Sequence, residues 1–110
     1  MTPMNLPDSV KTYFDADQSS DAEALVGAFS ETAVVHDEGA TYQGLEPIRR
    51  WWLEAKQKYS HTAQPISAAN DGEGISVLAT VSGNFPNSPA KLRFRFIVEQ
   101  GKIAQLEIGA

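Results

Sequence analysis

The hydrophobic pattern of this chain changes period once, near Ser60. Before that point apolar residues recur every three or four positions, and after it every second position. The first spacing puts apolar side chains on one face of a helix and the second puts them on one face of a strand. A chain that is helical first and sheet-forming afterwards folds as α+β, with the helices gathered on one face of the sheet.

Three helices are predicted. The first starts at Pro7, with Asp8 or Ser9 able to cap it, and Val10, Tyr13, Phe14 and Asp17 share one face. An acid at the end of an apolar stripe is unusual. It must be paired, reach water at the helix end, or line a pocket. The second helix opens at Asp21, with Ala24, Leu25, Ala28 and Phe29 as its apolar side. The third runs over 45–59 with the stripe Leu45, Ile48, Trp51, Trp52, Ala55 and Tyr59, and Pro47 sits in the first turn, where it costs no hydrogen bond. A short strand over 33–37 and a glycine turn holding Tyr42 separate the last two helices.

Four antiparallel strands follow. The first, over 61–70, contains Pro65, which favours an edge or a bulge. Asp71-Gly72-Glu73-Gly74 turns the chain into a strand in which Ile75, Val77, Ala79 and Val81 alternate with Ser76, Leu78, Thr80 and Ser82. FPNSP, residues 85–89, is a loop. Leu92, Phe94, Phe96 and Val98 alternate with Lys91, Arg93, Arg95 and Ile97, Gln100-Gly101 turns the chain, and Lys102 to Ile108 closes the sheet. Residues 1–6 read as a loose tail and 7–110 as a single domain, as the length of 110 residues suggests.

A net charge of −5 without a basic patch argues against nucleic acid. The chain has no cysteine, so thiol and disulfide chemistry are excluded. The N-terminus lacks the basic and apolar regions of a signal peptide, and no apolar run approaches the roughly 20 residues that span a bilayer. A cytoplasmic protein that binds neither nucleic acid nor membrane is the expectation.

Two stretches carry a resemblance, AFSETAVVHDEGATYQGLEPIRRWW and RFRFIVEQGKIAQLEI. In this order they resemble the NTF2-like superfamily, the cone shared by ketosteroid isomerases and SnoaL-like polyketide cyclases. The resemblance implies a cystatin-like cone, three N-terminal helices packed on a curved, mainly antiparallel sheet. Ketosteroid isomerase places a helix-one tyrosine and a second, uncharged acid on the enolate oxygen, with an aspartate as base. Matched without gaps, the tyrosine falls on Tyr13 and the base on Asp37. The second acid falls on Leu92, which cannot donate. Phe94 and Phe96 match pocket-facing positions, and Phe85 would close the pocket end.

The remaining candidates are weighed on chemistry. His36 neighbours Asp37 and so points to the opposite face of a regular strand. Trp51 and Trp52 lie about 100° apart on their helix, so one packs on the sheet while the other looks toward the cavity; the spacing leaves open which, and Trp52 is taken as the candidate. Phe14, Asp17, Tyr59 and His61 complete the expected lining. The histidines have no i, i+4 ligand spacing, so no metal is expected, and no cofactor. Catalytic roles go to Asp37 and Tyr13, in an isomerase or aldol-type cyclase acting on a small apolar or aromatic molecule. The alternatives are a noncatalytic binding module and a dimerisation module. A homodimer through the sheet face bearing Arg93 and Arg95 is expected.

Overall fold

The computed structural model describes residues 6–109. In chain order the described elements are α1 (Asp8–Ser19), α2 (Ala22–Gly27), β1 (Phe29–Asp37), β2 (Ala40–Gln43), α3 (Leu45–Tyr59), β3 (Thr62–Asp71), β4 (Gly74–Ser82), β5 (Ala90–Glu99) and β6 (Lys102–Gly109). The sheet order is β2-β1-β6-β5-β4-β3. Neighbours are antiparallel except β1 and β6, which run parallel. α1 packs on β3 and β6, and α3 on β1 and β2. The helices therefore span the sheet from both ends and enclose its inner face, as the sequence predicts for an α+β cone.

α3 coincides with the predicted span. Pro65 lies on the edge strand β3, beside a register shift between Pro65 and Ser67, so it disturbs no central ladder. α2 is capped by Asp21, whose carboxylate accepts from the Ala24 amide at 3.1 Å. α1 differs from expectation, because Pro7 holds the cap position and no side chain caps the helix. Asp8 instead occupies the first turn, where a negative charge suits the helix dipole.

Two elements were hidden in the sequence. β1 begins at Phe29 rather than 33, because Phe29 pairs with Ile103 before a register shift ahead of Val34. That irregularity breaks the alternation over Ser30, Glu31 and Thr32. Residues 40–43 form β2, not a turn. The turn is only Glu38 and Gly39, both at positive φ (52° and 78°), as a two-residue hairpin requires. β2 is a four-residue edge strand, mostly exposed, so no apolar alternation announces it. The tail also needs correction at one residue. Residues 1–5 lie outside the described part, and Leu6 is buried in the core.

Register sorts the two sheet faces. Phe96, Phe94 and Leu92 sit opposite Ile75, Val77 and Ala79, and Arg95 and Arg93 sit opposite Ser76 and Leu78. The first set faces the helices. The narrow part of the cone is filled by rings: Phe14 meets Phe94 and Phe96 edge-on at 5.4 and 5.7 Å, and Tyr13 meets Phe96 at 5.5 Å. Each such pair adds about 0.5–1.5 kcal/mol beyond area burial.

Candidate functional site

Beyond this aromatic plug the cone stays open. A cavity of about 360 Å³ lies between α1, α3, the end of β1 and the inner face of β4 and β5. This is within the range of small-ligand sites. Its walls are Tyr13 and Asp17 from α1, Asp37 and Glu38 from β1 and its turn, and Ala63, Val81, Leu92, Phe94 and Ile108 from the sheet. α3 supplies Trp51, Glu54, Ala55, Lys58 and Tyr59, with His61 just beyond it and Phe85 and Pro86 from the loop after β4. The α3 residues are spaced i, i+3, i+4, i+7, i+8, one helical face.

Asp17 is almost wholly buried, at 1% exposure, and fully occupied. Its Oδ2 accepts from the Ala63 amide at 2.8 Å. Its Oδ1 accepts from the Trp52 indole at 2.9 Å and lies 3.0 Å from His61 Nε2. The Lys56 ammonium is 3.4 Å from the same oxygen and donates to the Asp17 and His61 carbonyls. Burial alone would raise the carboxyl pKa. The His61 hydrogen bond, its charge when the ring is protonated, the Trp52 indole and the Ala63 amide outweigh it and hold Asp17 below its ordinary value.

Asp37 is half-buried at the cavity edge and accepts from the Trp51 indole at 3.0 Å. Trp51 in turn packs against Tyr42 with ring centroids 6.0 Å apart. Tyr13 is 2% exposed, and its hydroxyl takes no hydrogen bond from another described residue and opens on the cavity. Burial pushes the phenol well above its ordinary pKa, and the charges of Asp17 and Asp37 push it further the same way. Tyr13 is thus held as a neutral donor facing a cavity that Asp37 also faces. The arrangement can hydrogen-bond a ligand oxygen at Tyr13 and accept a proton or hydrogen bond at Asp37.

The sequence candidates divide. Tyr13, Asp17, Asp37, Tyr59, His61, Phe85 and Phe94 line the cavity. Phe14, Trp52 and Phe96 do not. Phe14 and Phe96 belong to the aromatic plug, and Phe96 lies one inward position further along β5 than Phe94, past the cavity floor. The tryptophans are exchanged relative to expectation. Trp51 shares the face of Ala55 and Tyr59, four and eight residues on. Trp52 shares the face of Ile48 and Lys56, and its indole is committed to Asp17. The helical spacing that identifies Trp51 was present in the sequence, and Glu54 and Lys58 follow from it as rim residues. His36 bonds Thr41 at 3.1 Å and lines a charged groove on the outer face with Arg93, Arg95 and Glu107. That groove holds no Phe, Tyr or Trp side chain, and Asp37 borders both spaces. Among the described residues no group of three His, Asp or Glu side chains is placed to hold a metal. No described helix is long and apolar enough to cross a membrane.

Residues 10–106 match the SnoaL-like domain. The chain belongs to the SnoaL-like family. Among solved structures this SnoaL-like chain is similar to a proposed polyketide cyclase from Sinorhizobium meliloti. Identity is 48%, the TM-score is 0.90 and 94% of each chain is covered. It also shares its fold with a ketosteroid isomerase-like protein from Catenulispora acidiphila solved with trimethylamine (18% identity, TM-score 0.83, covering 96% of this chain and 87% of that one). The orange carotenoid protein of Anabaena (Nostoc) sp. PCC 7120, which binds canthaxanthin, contains a similar unit. It is 19% identical with a TM-score of 0.83, and 99% of this chain covers 38% of that one. No curated protein matches the chain.

Proposed function

We propose that this SnoaL-like chain binds a small, largely apolar or aromatic carbonyl compound in its cavity. The reaction is cofactor-free proton transfer, with Asp37 as base and Tyr13 as donor to the carbonyl oxygen. The carrying observation is the placement of both groups on one cavity, the tyrosine hydroxyl unpartnered and the carboxylate holding one indole. Asp37 takes a proton from the carbon next to the carbonyl while Tyr13 steadies the developing oxyanion. Returning the proton from Asp37 to another carbon completes an isomerisation; attack of the enolate on a second carbonyl, with the new alkoxide taking that proton back, completes an aldol closure. Leu92 lines the cavity where a second donor would stand in ketosteroid isomerase. A single donor suits carbon acids that are already activated, such as 1,3-dicarbonyls, and the S. meliloti relative supports a poly-β-keto substrate.

Deuterium exchange into 2-tetralone, followed by NMR, tests this. Asp37→Asn is expected to slow exchange about 10²–10⁴-fold, the usual contribution of a general base, while 2-tetralone still binds. Equal exchange by wild type and variant would leave a noncatalytic binding module, the reading that Leu92 favours.

We further propose a homodimer through the outer sheet face, where Leu78 and Ile97 lie half-buried among Arg93 and Arg95. Light scattering at micromolar concentration should give twice the chain mass of 12.0 kDa; a monomer counts against it. The intracellular setting expected from the sequence remains part of this proposal.

A further inference from the structure

We propose that Asp17 and His61 form a second ligand-binding unit of the cavity, in which His61 Nδ1 accepts a hydrogen bond from a hydroxyl or N–H of the ligand and Asp17 fixes the tautomer that makes this possible. The proposal rests on the cavity being the ligand site and names the ligand class more closely.

His61 lines the cavity, and its Nε2 is 3.0 Å from Asp17 Oδ1. An ionised carboxylate only accepts, so the proton between them belongs to Nε2. A neutral imidazole protonated there presents its lone pair at Nδ1, and Nδ1 has no partner among the described residues. Lys56, 3.4 Å from the same Asp17 oxygen, brings a positive charge to the buried acid independently of His61. The other charged or titratable groups around the cavity are Tyr13 from α1, Asp37 and Glu38 at the end of β1, and Glu54, Lys58 and Tyr59 from α3.

The histidine is also held by its backbone. Ser60 before it is left-handed (φ 49°). The Asn84 amide donates to the Tyr59 carbonyl at 2.6 Å. A Cβ on Gly83 would lie 2.6 Å from that carbonyl and 3.0 Å from His61 Cα, so only glycine permits this approach. The ring is therefore positioned before any ligand arrives, which reduces the ordering cost of binding.

With Tyr13 donating and His61 accepting, the complementary ligand carries both a carbonyl oxygen and a hydroxyl or N–H. Hydroxy-ketones and the enol form of 1,3-dicarbonyls fit this description, and a plain ketone uses Tyr13 alone.

The test uses 2-naphthol and its methyl ether, 2-methoxynaphthalene, titrated against tryptophan fluorescence. Wild type should prefer the naphthol by about fivefold, the worth of one ordinary hydrogen bond. His61→Leu removes both ring nitrogens and with them the acceptor, while Asp17 keeps the Trp52 indole, the Ala63 amide and Lys56. It should stay folded, melt at a lower temperature than wild type and lose the preference. Two-bond ¹⁵N spectra should show Nε2–H in wild type and a loss of that tautomer preference in Asp17→Asn. Retained selectivity in folded His61→Leu, or a proton on Nδ1 in wild type, overturns the proposal and leaves the cavity reading standing. If neither naphthalene binds wild type, the cavity reading falls as well.

Discussion

Asp17 and Asp37 border the same cavity in opposite surroundings. Asp17 is enclosed, with an amide, an indole and an imidazole on its two oxygens and an ammonium nearby. Asp37 sits at the rim with one indole. A carboxylate saturated by protein donors is fixed and has nothing to offer a ligand directly. One with spare lone pairs can accept a proton. The contrast separates an acid that organises the cone from one free to do chemistry.

Alanine at each site breaks the comparison most sharply. Asp17→Ala leaves Lys56 without its buried partner and strands the Trp52 and Ala63 N–H groups, so urea unfolding should show a loss of about 3–5 kcal/mol. Asp37→Ala leaves one indole near solvent and should cost about 1 kcal/mol. The acid limb of stability carries the same signature. Asp17 is held below its ordinary value of 3.8, so the unfolded chain binds the proton first as pH falls. Its stabilisation is complete above that value and is lost as pH drops below it toward the folded pKa. Asp17→Asn should flatten this fall. At the other end, Tyr13 is held above 10.0, so its contribution persists below that pH and declines above it, as the unfolded phenol ionises first.

A second pair sharpens the boundary between plug and cavity. Phe96 is fully buried among rings, and Phe94, two residues away on the same face, borders open space. Phe96→Ala should cost about 3–5 kcal/mol in thermal or urea unfolding. Phe94→Ala should cost roughly half as much, because part of its surface meets no protein, and should also weaken binding of 2-naphthol. Equal losses would mean that the cavity closes around Phe94 in solution.

The element order was legible because periodicity reports burial: α3 keeps a helical period throughout, and β4 and the first part of β5 keep a period of two before the irregularity between Ile97 and Val98. β2 was not, since an exposed edge strand of four residues has no buried face to leave a pattern. β1 was half-legible because its bulge interrupts the alternation. In the site, Tyr13 and Asp37 came from the resemblance, and Asp17 came from its anomaly as an acid on an apolar stripe. Its partners were beyond reach. Trp52, Lys56, His61 and Ala63 lie 35 to 46 residues away along the chain, and they meet Asp17 only once α1 has packed against β3 and beside the end of α3. The Trp51–Trp52 exchange was a question of rotation about one helix. Anchoring the face on Tyr59 and counting back by four to Ala55 and Trp51 would have settled it.

That exchange supplies the smallest predicted effect. Each indole donates to one of the two aspartates, so replacing each by phenylalanine removes one donor and leaves an aromatic ring. Trp52→Phe takes a hydrogen bond from a buried charge, worth about 1.5–3 kcal/mol, and Asp17 has no water to replace it. Trp51→Phe takes a similar bond from Asp37, but that carboxylate reaches solvent, and water can substitute for most of the loss. Its unfolding free energy should fall by under about 1 kcal/mol. The binding effect runs the other way. Trp51 lines the cavity and orients Asp37, so Trp51→Phe should impair 2-tetralone exchange, while Trp52→Phe should leave exchange near wild type at temperatures where it is folded. Equal stability losses would place Asp37 in a drier setting than its half-exposed position at the rim implies.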